Sequence, residues 1–261
     1  MEEKRKKRSI LSNVILLIAA LVFLYSGYQL FLIFSEYNKG EQEYEEIIEE
    51  VITEETTEEG EEKETEEVIF KVDFEKLLSI NKETVAWIRF DAPEKISYPV
   101  VKATDNDKYL KTTFEGKKNG SGAIFVDAFN KGDFTEKNTF IYGHNMKNGS
   151  MFGQLRKYKN QSFYQENPYF YIYTPDGKEL KYQVFAVGIV EETSESYKKI
   201  YADDNEYVAY LNHLKKVSRY NTGVEVTAQS QIVSLSTCTN VTDTQRLLVH
   251  GVKISEKTVG E

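Results

Sequence analysis

Ile232-Val233-Ser234-Leu235-Ser236-Thr237-Cys238 is followed by the polar segment 239–245 and then by Arg246-Leu247-Leu248-Val249-His250. Two β-branched or apolar runs joined by a polar loop read as consecutive strands of one sheet. Cys238 closes the first run, where a sheet holds a side chain firmly while leaving it open to substrate. It is the only cysteine in the 261-residue chain, so an intrachain disulfide is excluded. A lone cysteine is either a small buried hydrophobe or a reactive thiol, and its neighbours decide which.

A reactive thiol needs a partner at neutral pH, because its reference pKa is about 8.5. The chain has three histidines, His144, His213 and His250. His213 lies in a helical pattern and His250 inside the strand 247–254. His144 follows Tyr142-Gly143 at the junction of a strand run and a Gly/Asn-rich turn, the place from which a ring reaches a neighbouring cleft. It is the first candidate and His250 the reserve. Arg246 opens the strand after the cysteine loop, so a hairpin returns it to the cysteine's end of the sheet. There it can serve as the donor to an oxyanion or a substrate carbonyl that acyl transfer requires.

Outward from this pair, short β-branched or aromatic runs recur at 98–102, 122–126, 139–142, 170–174, 181–190, 231–236 and 247–254, separated by Gly, Asn, Asp and Pro. Such spacing predicts a mainly β barrel or sandwich. Residues 72–78 read as a short amphipathic helix. In 204–220, Tyr207, Val208, Leu211, Leu214 and Val217 fall at helical spacing, which inserts a helix before the cysteine strand.

The N-terminal part has another texture. Residues 10–34 carry no Asp, Glu, Lys or Arg; at 1.5 Å per residue they make about 37 Å of helix, enough to cross a hydrocarbon core of roughly 30 Å. Lys4, Arg5, Lys6, Lys7 and Arg8 precede the run, so the positive-inside rule puts residues 1–9 in the cytoplasm and the rest of the chain outside. Between 41 and 67 there are fifteen glutamates and one lysine, and 35–67 reads as an acidic extracellular spacer ahead of a folded domain, 68–261. Of the net charge of −9, the first 40 residues carry +3 and the acidic tract −14, leaving +2 for the domain. That balance excludes a basic nucleic-acid footprint. No phosphate-binding Gly loop and no paired Cys/His set that could hold a metal is present.

These motifs carry a resemblance. Ser234-Leu235-Ser236-Thr237-Cys238 with Arg246 on the next strand resembles the Thr-Leu-x-Thr-Cys signature of sortases, with Ser234 where the signature has Thr, and Tyr142-Gly143-His144 resembles their histidine element. Val85-Ala86-Trp87-Ile88, Tyr98-Pro99-Val100-Val101, Asp105 to Leu110, Met151-Phe152-Gly153 and the 204–220 helix are similar to class B. The resemblance implies a closed eight-stranded barrel with N-terminal helices, and neither a metal nor an organic cofactor. In it Cys238 is the nucleophile, His144 the proton donor and Arg246 the carbonyl and oxyanion holder, while Asn106, Leu110, Thr193, Tyr197 and Ser236 line the substrate groove. It also implies the partners: surface proteins with a C-terminal sorting motif of the Asn/Ser-Pro-x-Thr-Asn/Gly kind, and an amine acceptor in a peptidoglycan precursor or a pilin. Membrane lipid around the N-terminal helix completes the set. The other readings are a cysteine protease or amidase that releases product to water, and a silent adhesion or scaffold domain with a buried Cys238.

Overall fold

The chain enters its fold through one unbroken helix, α1 (Glu2–Val51), in a computed structural model that describes residues 2–57, 67–93, 95–239 and 241–259. A hairpin of β1 (Ile52–Thr57) and β2 (Glu67–Val72) follows. Next comes α2 (Phe74–Ile80), whose first turn is capped by the Asp73 carboxylate accepting from the Lys76 N–H at 2.9 Å. The barrel is built from β3 (Thr84–Arg89), β4 (Ser97–Val101), β5 (Ile124–Val126), β6 (Asn138–Tyr142), β7 (Tyr169–Tyr173), β8 (Lys178–Glu191), β9 (Ile232–Cys238) and β10 (Gln245–Thr258). Around the closed sheet the order is β10-β8-β7-β3-β4-β5-β6-β9, with β4/β5 and β6/β9 parallel and the other pairs antiparallel.

Closure leaves the barrel without an edge strand among the described residues. The hydrophobic core includes Trp87, Phe90, Phe170 and Tyr182, with Phe90 stacked on Phe170 and Phe170 on Tyr182 at 5.1 Å each. Gly251 permits this, since a Cβ there would lie 2.3 Å from the Phe170 ring. Outside, α3 (Gln161–Glu166) follows a 3-10 segment, Gly153–Lys159, and α4 (Asp204–Val217) lies on the outer face of the sheet. Tyr207, Tyr210, Leu211 and Leu214 of α4 pack there with Phe185, Ala186, Ile232 and Val252.

Register decides what faces out. Asn138, Phe140 and Tyr142 of β6 pair with Ile232, Ser234 and Ser236 of β9. Across β10, Ile232, Ser234, Ser236 and Cys238 pair with Val252, His250, Leu248 and Arg246. Alternation puts all of these on one face of the sheet, and α4 roofs only the half that holds Ile232, Ser234 and His250. Cys238 and Arg246 emerge beyond the roof.

The acidic tract departs from the expected spacer. Residues 36–51 continue α1 and dock on the barrel: Tyr44, Ile47 and Val51 are 2–3% exposed, and Tyr44 Oη donates to the Gly122 carbonyl at 2.8 Å. Tyr37, Gly40, Tyr44, Ile47 and Val51 recur every three or four residues, an apolar stripe set among glutamates. Residues 58–66 of the tract lie outside the described residues. The helix expected over 204–220 ends at Val217, where the Ser218 hydroxyl accepts from the Val187 N–H.

Candidate active site

The unroofed part of the sheet forms the floor of a cleft of about 530 Å³. Its walls come from three connections: the loop through Asn106, Asp107 and Leu110, the end of β6 through Tyr142, Gly143 and His144, and the segment through Glu192, Tyr197 and Lys199. Cys238 is half-buried at the end of β9, and Arg246 is its direct partner on β10. Partners across an antiparallel pair have Cβ atoms about 5 Å apart, so thiol and guanidinium share one end of the cleft. The Cys238 carbonyl is held by Asn145 Nδ2 at 2.7 Å, which ties the end of β9 to the turn after the histidine.

His144 stands across from them. Its Nε2 lies 2.7 Å from the Leu110 carbonyl oxygen. A carbonyl only accepts, so Nε2 carries the proton, and the ring is oriented by main chain rather than by an acid. Gly143 makes the approach possible: a Cβ there would fall 2.4 Å from Ile124 Cδ1 and 2.8 Å from the Phe152 ring.

Arg246 already handles carbonyl groups. One terminal nitrogen, Nη1, donates to the Asp243 carbonyl at 2.6 Å and to the Gln245 carbonyl at 3.2 Å, while Nη2 pairs with Glu192 Oε2 at 2.5 Å. Main-chain carbonyls are the acceptors a bound peptide would offer, and the planar fork suits them.

At the other end of the cleft lies a cluster that the sequence reading missed. Asp127 is 1% exposed and accepts from Tyr142 Oη at 2.7 Å, the Phe129 N–H at 2.8 Å, Asn106 Nδ2 at 3.3 Å, and Lys199 Nζ. Burial alone would raise its pKa, but these donors, Lys199 foremost, hold the carboxyl below the usual range. One carboxylate thus pins three walls of the cleft. An Asp after a short strand and a Lys 72 residues later give no local signal of this. Tyr197 Oη lies 2.7 Å from Ser236 Oγ, and burial raises the phenol to about 12. Of the expected groove residues, Asn106, Leu110, Tyr197 and Ser236 line the cleft, whereas Thr193 is exposed in the turn outside its lining.

His250 is placed elsewhere. It is buried under α4, with Nδ1 2.8 Å from Ser234 Oγ and the Phe185 ring 6.0 Å away. Burial, with a smaller contribution from His213, lowers its pKa to about 3. His213 Nε2 sits 3.1 Å from Ser196 Oγ, away from the cleft lining.

Comparison with known proteins decides the family. A sortase-domain family model matches residues 92–254. The chain belongs to the sortase family. The chain is 31% identical to sortase B of Listeria monocytogenes over 255 residues, 96% of this chain and all of the relative. Against sortase B of Staphylococcus aureus it is 33% identical over 184 residues, covering 69% of this chain and 74% of that one. Among solved structures, sortase B of Bacillus anthracis superposes with a TM-score of 0.70 at 33% identity, covering 85% of this chain and all of that one. A substrate complex of S. aureus sortase B gives 0.65 at 31% identity, over 70% of this chain and 84% of that one. This sortase is therefore a cysteine transpeptidase of class B type, with the eight-stranded barrel of that class.

Proposed function

We propose that this sortase is held in the membrane by residues 10–34, N-terminus in the cytoplasm, and that it cleaves a sorting motif after Thr through Cys238. The observation that carries the site assignment is the register pair Cys238–Arg246 at the mouth of a cleft whose opposite wall is His144. The helix that would cross the bilayer is α1, with mean hydropathy 2.1 in its most apolar window.

In the first half-reaction the Cys238 thiolate adds to the carbonyl carbon of Thr, and the oxyanion so formed takes hydrogen bonds from Arg246. The C–N bond then breaks. The leaving amine takes a proton from His144, and a thioester to Cys238 remains. In the second, an incoming amine gives its proton to His144 and attacks the thioester, an amide forms, and the thiolate is released. Asn106, Leu110, Tyr197 and Ser236 hold the motif along the cleft, and Thr193 contributes from the rim. The motif is of the Asn/Ser-Pro-x-Thr-Asn/Gly kind, and the acceptor is an amine of a peptidoglycan precursor or a pilin.

Peptides of that kind and of the Leu-Pro-x-Thr-Gly kind, incubated with and without an oligoglycine amine, test this reading. The former should be cleaved at least tenfold faster and yield mainly the amide when amine is present. Free acid in equal amount with and without amine would instead support the protease reading.

A further inference from the structure

The barrel meets α1 directly beyond the apolar run. Ser35 is already half-buried, the Glu36 carbonyl accepts from Asn119 Nδ2 at 2.9 Å, and the Glu36 carboxylate accepts from the Gly120 N–H at 2.8 Å. Glu36 lies about 3 Å along the axis past Phe34 at 1.5 Å per residue. Each headgroup layer is roughly 5–7 Å deep. The first contact between barrel and helix therefore falls inside that layer, and α1 has no break there that could lift the barrel away.

The contacting loop, 111–122, presents three exposed lysines, Lys111, Lys117 and Lys118. Lys111 and Lys118 stand together, with the Asn119 N–H donating to the Lys111 carbonyl at 3.0 Å and Thr112 bridged to Lys118. Neither has an ion-pair partner among the described residues, whereas Lys117 is taken up by Glu43 and Glu115. About one and a half turns further along α1 from Glu36, Glu41 accepts from Asn148 Nδ2 at 3.3 Å and pairs with Lys95 at 3.7 Å. Both loops that flank His144 thus rest on the helix just above the apolar run.

We infer that the loop 111–120 is a membrane-docking surface, set into the headgroup layer by α1, with Lys111 and Lys118 engaging lipid phosphates. Leu110, whose carbonyl orients His144, is the residue before Lys111. The cleft accordingly opens at the lipid surface rather than at the end of a spacer. Unpaired cations at that depth are attracted by an anionic leaflet within a Debye length. The inference rests on the proposed anchoring of residues 10–34, and its test separates the two.

The full chain with Cys238→Ser, carrying one fluorophore on Lys118→Cys, Asp176→Cys or Leu24→Cys, is reconstituted in phosphatidylglycerol vesicles with nitroxide on either headgroup or acyl chain. Asp176 is the distal reporter, since its turn shares a groove with Asp73, which bonds to Val51, about 26 Å beyond Phe34. Leu24 should be quenched by the acyl-chain nitroxide, and Lys118 by the headgroup nitroxide at least threefold more than Asp176. Equal quenching of Lys118 and Asp176 with Leu24 still quenched would overturn the docking and leave the anchor standing. An unquenched Leu24 would overturn both. Adding Lys111→Glu should halve the quenching at Lys118; no change would contradict the role given to the lysines.

Discussion

Two histidines of this sortase differ in what surrounds them, and the difference sets their chemistry. His144 is half-buried at a cleft wall with its Nε2 proton held on a main-chain carbonyl, while His250 is 2% exposed beneath α4. His144→Ala should therefore abolish peptide turnover, with alkylation of Cys238 by a small reagent reporting that the fold persists. His250→Gln should keep most activity; a dead but folded His250→Gln beside an active His144→Ala would reverse the assignment. His250 also predicts a pH dependence of stability. Burial holds its folded pKa near 3, below the ordinary histidine value of 6.5. Its contribution is present above about 6.5 and is lost as pH falls toward 3, because the unfolded chain takes up the proton first. The slope is about 1.4 kcal/mol per pH unit. Thermal melts at pH 7 and pH 5 should show a larger drop for the native chain than for His250→Gln, and parallel drops would remove His250 as the cause.

At the level of elements, the pattern of Ile232–Cys238 and its return strand was legible because residues there alternate around a turn, and register then placed Arg246 opposite Cys238. β3 was not, since Thr84–Arg89 is buried at four of six positions and shows no period of two. Docking of α1 was hidden for another reason: its stripe of Tyr37, Gly40, Tyr44, Ile47 and Val51 is diluted by glutamates, one of which, Glu43, is itself buried against the barrel and accepts from the Glu115 N–H. Asp127 was illegible because its partners come from three separate connections. Cys238, His144 and Arg246 sit at or just past strand ends, where sequence pattern and the proposed site coincide. The joint between β6 and the histidine turn gives a test of element placement. Gly143→Ala must displace Ile124 or Phe152, so it should cut kcat about tenfold or more while far-UV circular dichroism stays native; unchanged kcat would mean the turn has slack to spare.

For the whole molecule, α1 is both the apolar helix and part of the folded body. Tyr44, Ile47 and Val51 bury their side chains against the barrel, worth about 1.5–3 kcal/mol each as an upper bound. A chain beginning at Val68 should be soluble yet melt roughly 10 °C below one beginning at Glu36. Equal melting temperatures would mean that the docked segment adds no stability. The acyl transfer itself is read most directly from the mass of the intact enzyme during reaction with a cognate peptide. The account predicts an adduct equal to the peptide fragment ending in Thr, mapped to Cys238, discharged by added amine, and formed about a hundredfold more slowly in Arg246→Lys. Cleavage with no adduct on Cys238, or an adduct on another residue, would contradict it.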